Sequence, residues 1–140
     1  MSQEPRRINM NIEKFIATRD LTSGSECLKW LCNTVDRDSV IYIKCAIEEN
    51  NISDEYLRIM LDPRFTGRQV RQIYYAAQEG VTSNQMKILA NPSLNSIEMY
   101  RVREAIERGA TDGELELVAA SYFEFNTEFE DFLNDIISRH

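Results

Sequence analysis

A chain of 140 residues with 43% hydrophobic and 28% charged residues has the balance of one folded domain, which excludes wholesale disorder. Its 23 acidic against 16 basic residues leave a net charge of −7, which disfavours duplex DNA or an anionic membrane as main partner, because phosphate binding rests on Lys and Arg. No apolar run approaches the roughly 20 residues that span a bilayer, and Met1 to Arg7 is polar with no signal-like stretch behind it, so a cytoplasmic protein is expected.

Residues 1–8 are expected to be flexible, followed by a helix near 9–20 and a short one near 24–32. Three cysteines at spacings of 5 and 13, Cys27, Cys32 and Cys45, fit neither a disulfide framework nor a zinc pattern and are expected as small core residues. From here the pattern repeats. Long helices are expected near 36–49, 66–79, 95–108 and 127–138, carrying the apolar triplets Val40/Ile43/Ile47, Val70/Ile73/Ala77, Met99/Val102/Ile106 and Phe129/Phe132/Ile136, which succeed one another every 29 or 30 residues. Short helices near 53–61, 82–90 and 111–120 join the one near 24–32. They carry Leu28/Leu31/Cys32, Leu57/Met60/Leu61, Met86/Leu89/Ala90 and Leu115/Val118/Ala119 at a strict spacing of 29.

The punctuation repeats as well. Asp62-Pro63 and Asn91-Pro92 end short helices, because proline lacks an amide hydrogen and fixes its own φ. Thr66 with Gln69, Thr82 with Gln85, Asn95 with Glu98, and Thr111 with Glu114 have capping-box spacing, and Ser53 holds the matching place one unit earlier. Gly80 and Gly109 follow long helices where a left-handed residue is needed, with Asn50 or Asn51 in that role after the first. Periodicity, caps and stops agree on an all-α fold, a short α-solenoid of about four stacked helical hairpins in one domain, 1–140, with right-handed stacking borrowed from other helical-repeat families. The stretch 121–140 departs from the pattern as an atypical capping unit: Asp135 stands where Ala46, Ala76 and Ala105 recur, and Phe123, Phe125, Phe129 and Phe132 crowd together.

From Asp62 to Leu117 the chain resembles the short helical tandem repeats of uncharacterised proteins from gut Gram-positive bacteria and their mobile elements. The resemblance rests on Pro after Asp or Asn, the Gln69-Val70 and Glu98-Met99 pairs, and the Glu79-Gly80 and Arg108-Gly109 turns. It implies helical repeats and no particular chemistry, and it carries over no catalytic residue. The 34-residue tetratricopeptide signature is absent, so kinship to those longer repeats is architectural only.

Catalysis finds little to build on. The one histidine, His140, is the last residue, which argues against Ser–His–Asp or Cys–His chemistry, and neither P-loop nor dinucleotide glycine pattern occurs among five glycines. Carboxylate pairs such as Glu48-Glu49 read as solvated helix surface. A non-enzyme without metal or cofactor is the expectation. Against the acidic background, Arg64, Arg68, Arg71 and Tyr75 fall at i, i+4, i+7 and i+11, and Arg101 with Glu104 continues the strip into the next unit. Such residues suit recognition of carboxylate or phosphate beside an aromatic platform; the plainer alternative is a solvated face whose arginines pair with Glu98, Glu104 and Glu107. The leading expectation is therefore a non-catalytic protein-protein interaction module with Arg64, Arg68, Arg71, Tyr75, Arg101 and Glu104 as its partner-binding strip. The alternative is a small acidic mobile-element or phage-encoded inhibitor, anti-CRISPR-like, that blocks a nucleic-acid-binding enzyme. The acidic-aromatic stretch Tyr122 to Asp135 could serve that docking or a homodimer, though a cap whose aromatics cover the end of the stack is the favoured reading.

Overall fold

A computed structural model describes residues 10–120 and 126–140, and among them every regular element is helical. The expected flexible segment 1–8 and the aromatics Tyr122, Phe123 and Phe125 lie outside the described residues. Helix α1 (Ile12–Thr18) is capped by Asn11, whose side chain accepts from the Lys14 amide at 2.9 Å. It ends at Arg19 in the left-handed region, φ 50°. The Arg19 guanidinium donates to the Ile16 carbonyl at 2.9 Å and also pairs with Asp54, so a strained non-glycine backbone is held by partners at both ends of the side chain. Helix α2 (Glu26–Thr34) follows from the cap Ser25, and its Trp30 ring lies 5.2 Å from that of Phe15.

A single 3-10 turn, Arg37–Ser39, leads into α3 (Val40–Glu49), which Asn50 closes at φ 51°. Then come α4 (Asp54–Met60), α5 (Gly67–Glu79), α6 (Ser83–Leu89), α7 (Ser96–Glu107), α8 (Asp112–Ala120) and α9 (Asn126–Ser138). Capping boxes form in full at Thr66/Gln69, Thr82/Gln85 and Asn95/Glu98. The reciprocal bonds of Thr111 and Glu114 are made too, at 3.1 and 2.9 Å. Gly80 and Gly109 take φ 78° and 98°, which a side chain would resist, so the long helices α5 and α7 stop where the sequence places their glycines.

The long helices lie side by side, α3 on α5, α5 on α7 and α7 on α9, while α4 packs on α1 and α5, and α6 packs on α5, α7 and α8. The apolar stripes face inward. Ile43, Val70, Ile73, Met99 and Val102 are fully buried, as are Leu57, Met60, Met86, Leu89 and Leu115 from the short helices. Ala46, Ala76 and Ala105 are also buried, small residues where neighbouring helices approach, whereas Asp135 at the matching place in α9 is exposed and pairs with Arg139. Burial of Phe129, Leu133 and Ile136 fixes α9 against α7.

The cysteines divide. Cys27 is buried and Cys45 half-buried, but Cys32 is exposed, contrary to its expected place in the core. Ala119, the last member of the same positional set, is exposed too, while Leu61 and Ala90 between them are covered. Among the described residues α2 makes fewer close approaches to other helices than α4 or α6 do, which leaves the outer side of α2, and with it Cys32, uncovered.

Candidate functional site

Helix α5 is long enough to send one face into the core and another to solvent. Val70, Ile73, Tyr74 and Ala76 go inward; Arg68 and Arg71 stay exposed, and Tyr75 sits half-buried between. Because 71 and 75 are one helical turn apart, the Arg71 Nε donates to the Tyr75 hydroxyl at 3.3 Å, and its guanidinium stands 5.4 Å from the ring centroid. Arg103 of α7 covers the same ring at 5.3 Å and reaches the Tyr100 ring at 5.8 Å. Cation and ring thus alternate from α5 to α7: Arg71, Tyr75, Arg103, Tyr100. Arg103 is itself fixed, donating to Gln72 Oε1 at 2.5 Å and paired with Glu79.

Behind this rail the rings continue inward. Tyr74 lies 5.8 Å from Tyr75 and 6.0 Å from Tyr42 of α3. The Tyr74 hydroxyl donates to Glu49 at 2.5 Å, and Gln78 donates to the other oxygen of that carboxylate at 2.9 Å. Burial, together with the carboxylate accepting its proton, pushes the Tyr74 phenol well above its ordinary range.

Two concavities open at the N-terminal end of α5. One, of about 410 Å3, lies against the 3-10 turn and is lined by Arg37, Asp38, Ile41, Tyr42, Arg68 and Arg71. The other, of about 450 Å3, includes Arg64, Arg68, Gln69 and Leu94. Arg68 forms the ridge they share. A third concavity of about 430 Å3 is lined by Glu79, Gly80, Val81, Gln85, Ile106 and Glu107. Glu79 is already spent on Arg103.

The expected strip splits in two. Arg101 is mostly covered and donates to Glu104 of its own helix and Glu130 of α9, both at 2.6 Å, with Asn134 as a further partner. Arg101 and Glu104 therefore clamp α7 to α9 rather than extend the α5 face. Arg64 turns back on Asp62 at 2.7 Å, and that hydrogen bond holds the Asp62 carboxyl below its usual range. Arg68 and Arg71 remain with Tyr75 on the solvent side. Sequence reasoning missed their companions Arg37, Ile41 and Tyr100; Ile41 and Tyr100 each follow a recognised core position, Val40 and Met99, by one residue, which turns them about 100° away from the core face and marked them only as surface.

The arginines divide by whether a carboxylate holds them. Among the described residues Arg19, Arg58, Arg64, Arg101, Arg103 and Arg139 each have a carboxylate partner. Among the described residues Arg37, Arg68, Arg71 and Arg108 have no carboxylate within ion-pair distance, and the first three line one concavity. Among the described residues the large exposed apolar ones are Ile41, Ile97, Tyr100 and Leu117. Ile41 lines that same concavity, Tyr100 ends the ring-and-cation rail, and Ile97 stands one helical turn before Tyr100 on α7.

His140, the sole histidine, is engaged with Glu114 at 2.5 Å and lies away from this face. Among the described residues no group of three or more His, Cys, Asp or Glu side chains is arranged to hold a metal ion, and no helix is long and apolar enough to cross a membrane. Comparison with protein-family models, curated proteins and solved structures finds no match to this chain.

Proposed function

We propose that the protein is a non-catalytic interaction module, a short α-solenoid of stacked helical hairpins that binds another protein through the exposed face of α3, α5 and α7. Rows of stacked helices make broad, ridged surfaces suited to polypeptide partners. The observation that carries the reading is the convergence of Arg37, Arg68 and Arg71, without carboxylate partners, on a concavity that also presents Ile41. Arginine, tyrosine and large apolar side chains are the groups that contribute most at protein interfaces, where a desolvated guanidinium stacks and hydrogen-bonds at once. Arg101 and Glu104 leave the contact strip in this reading and serve to hold α9 in place.

The test is affinity capture from host lysate with nuclease added, comparing wild type with an Arg68→Glu/Arg71→Glu variant. A protein retained by wild type and lost by the variant supports the reading. A basic nucleic-acid-binding enzyme retained equally by both and released by salt would transfer the function to the acidic surface, as in the inhibitor alternative.

A further inference from the structure

Resting on that reading, we propose that the occupant of the Arg37/Ile41/Arg68/Arg71 concavity is an extended acidic segment of another protein that carries at least one large apolar side chain. Three arginines line this space with one carboxylate, Asp38, and a second carboxylate, Asp36, sits beside it, accepting from the Gly67 amide at 2.7 Å. Arg68 and Arg37 engage no side chain among the described residues. Arg71 is held only by a neutral phenol, through its Nε, which leaves its Nη groups as unused donors. Guanidinium forks of this kind match carboxylates in two-point hydrogen bonds.

The surrounding charge sharpens the choice. The molecule carries a net charge of −7, so an acidic segment is repelled from most of its surface. Charges beyond a Debye length of about 8 Å count for little at physiological salt, and here three arginines stand against two carboxylates, Asp36 and Asp38, so the concavity is locally positive on a chain that is acidic overall. A nucleic acid, with a phosphate at every nucleotide, would have to continue from this small patch over a chain of net charge −7. A peptide can place its acids here and end.

The apolar requirement comes from Ile41, which is 60% exposed on one wall, with the Tyr42 ring half-buried beside it. Farther along, Ile97 and Tyr100 are 67% and 51% exposed on α7. Helices packed at roughly 8–10 Å put about 20 Å between α3 and α7. An extended chain crosses that in about six residues.

The experiment is selection from a displayed library of random peptides of about ten residues, followed by fluorescence anisotropy on the enriched sequences and their charge-swapped and apolar-stripped versions. The expected result is enrichment of Asp and Glu around Leu, Ile or Phe, and affinity that falls with salt. Loss of about tenfold or more is expected in Arg68→Glu/Arg71→Glu, and a clear loss in Ile41→Asp, with far-ultraviolet dichroism confirming that both variants are folded. Enrichment of basic or uncharged peptides whose binding is lost in Ile41→Asp would overturn the acidic occupant and leave the interaction reading standing. Failure of any peptide to distinguish wild type from both variants would remove the face, and with it the interaction reading. Displacement of the peptide by a tighter-binding single-stranded oligonucleotide would assign the arginines to nucleic acid instead.

Discussion

Gly67 begins α5 directly beneath the 3-10 turn, and replacing it with alanine tests how closely those two pieces fit. A Cβ at this position would lie 2.4 Å from the Asp38 Cβ, 2.9 Å from its carbonyl carbon and 3.1 Å from its Cα. Non-bonded carbons rest at about 3.5–4.0 Å, so the turn must retreat by roughly 1 Å. Two of the three obstructing atoms are backbone, and side-chain rotation cannot relieve them. Overpacking of this kind costs about 1–3 kcal/mol. The retreat also pulls Asp36 from the Gly67 amide, a bond of 2.7 Å. Against this stands a gain of up to about 1 kcal/mol for alanine over glycine in a helix. The net expectation for Gly67→Ala is a loss of about 1–2 kcal/mol. Gly113, in the first turn of α8, supplies the contrast, since a Cβ there meets only the Thr111 hydroxyl at 3.9 Å. Gly113→Ala should stabilise by about 0.5–1 kcal/mol. Urea titration followed by helical dichroism measures both. A Gly67→Ala protein as stable as wild type would refute the packing argument, as would equal shifts in the two variants.

Gln69 is buried, accepts from the Thr66 amide at 2.8 Å and donates to the Leu94 carbonyl at 2.6 Å and the Pro92 carbonyl at 3.1 Å; Gln69→Leu should cost about 2–3 kcal/mol in a urea titration. Arg101→Ala should cost about 1–2 kcal/mol and raise amide exchange across α9, while Arg68→Ala, with no partner to lose, should stay within about 0.5 kcal/mol of wild type. Because the folded Tyr74 phenol is raised, its contribution is fully present below the unfolded tyrosine pKa near 10 and is lost as pH rises through the higher folded value. In an ultraviolet tyrosinate titration Tyr74 should therefore ionise last, and Tyr74→Phe should remove that late step; loss of the step from a different tyrosine variant would contradict the burial argument.

Much of the fold was legible because local rules and the repeat pointed to the same places. The triplets centred on Ile43, Ile73 and Val102 had to be buried once helical, and Thr66, Thr82, Asn95 and Thr111 announced the helix starts with their partners three residues on. The solvent faces were harder. On the repeat's register Glu104 takes the place of Tyr75 and Arg101 that of the half-buried Gln72, and nothing on α7 alone says that α9 covers them. A signal did exist: Arg101 and Glu130 stand 29 residues apart, as do Glu49 and Gln78, so polar partners separated by one repeat mark contacts between successive long helices. Arg103 and Glu79, 24 apart, follow no such rule. Gln69 offered a subtler hint, an amide where the sister position holds Glu98. Either residue can close the capping box, but only the amide also donates to two carbonyls of the following loop. Left-handed Arg19 was invisible, since its support comes from Asp54 and Asn50, over 30 residues away.

The clamping of Arg103 has a consequence for kinetics. Its guanidinium is held by Gln72 and Glu79 with only 14% of the side chain exposed, so the Tyr75 ring it covers is immobilised before any partner arrives. Freezing a flexible side chain on association typically costs about 0.5–1.5 kcal/mol. Here folding has already met that cost for Tyr75. Cutting both ties of Arg103, in Gln72→Ala/Glu79→Ala, would leave Arg71, Tyr75 and Arg103 in place yet loosen the cover on the ring. The complex should then form at nearly the same rate and dissociate faster, a signature in residence time rather than in encounter.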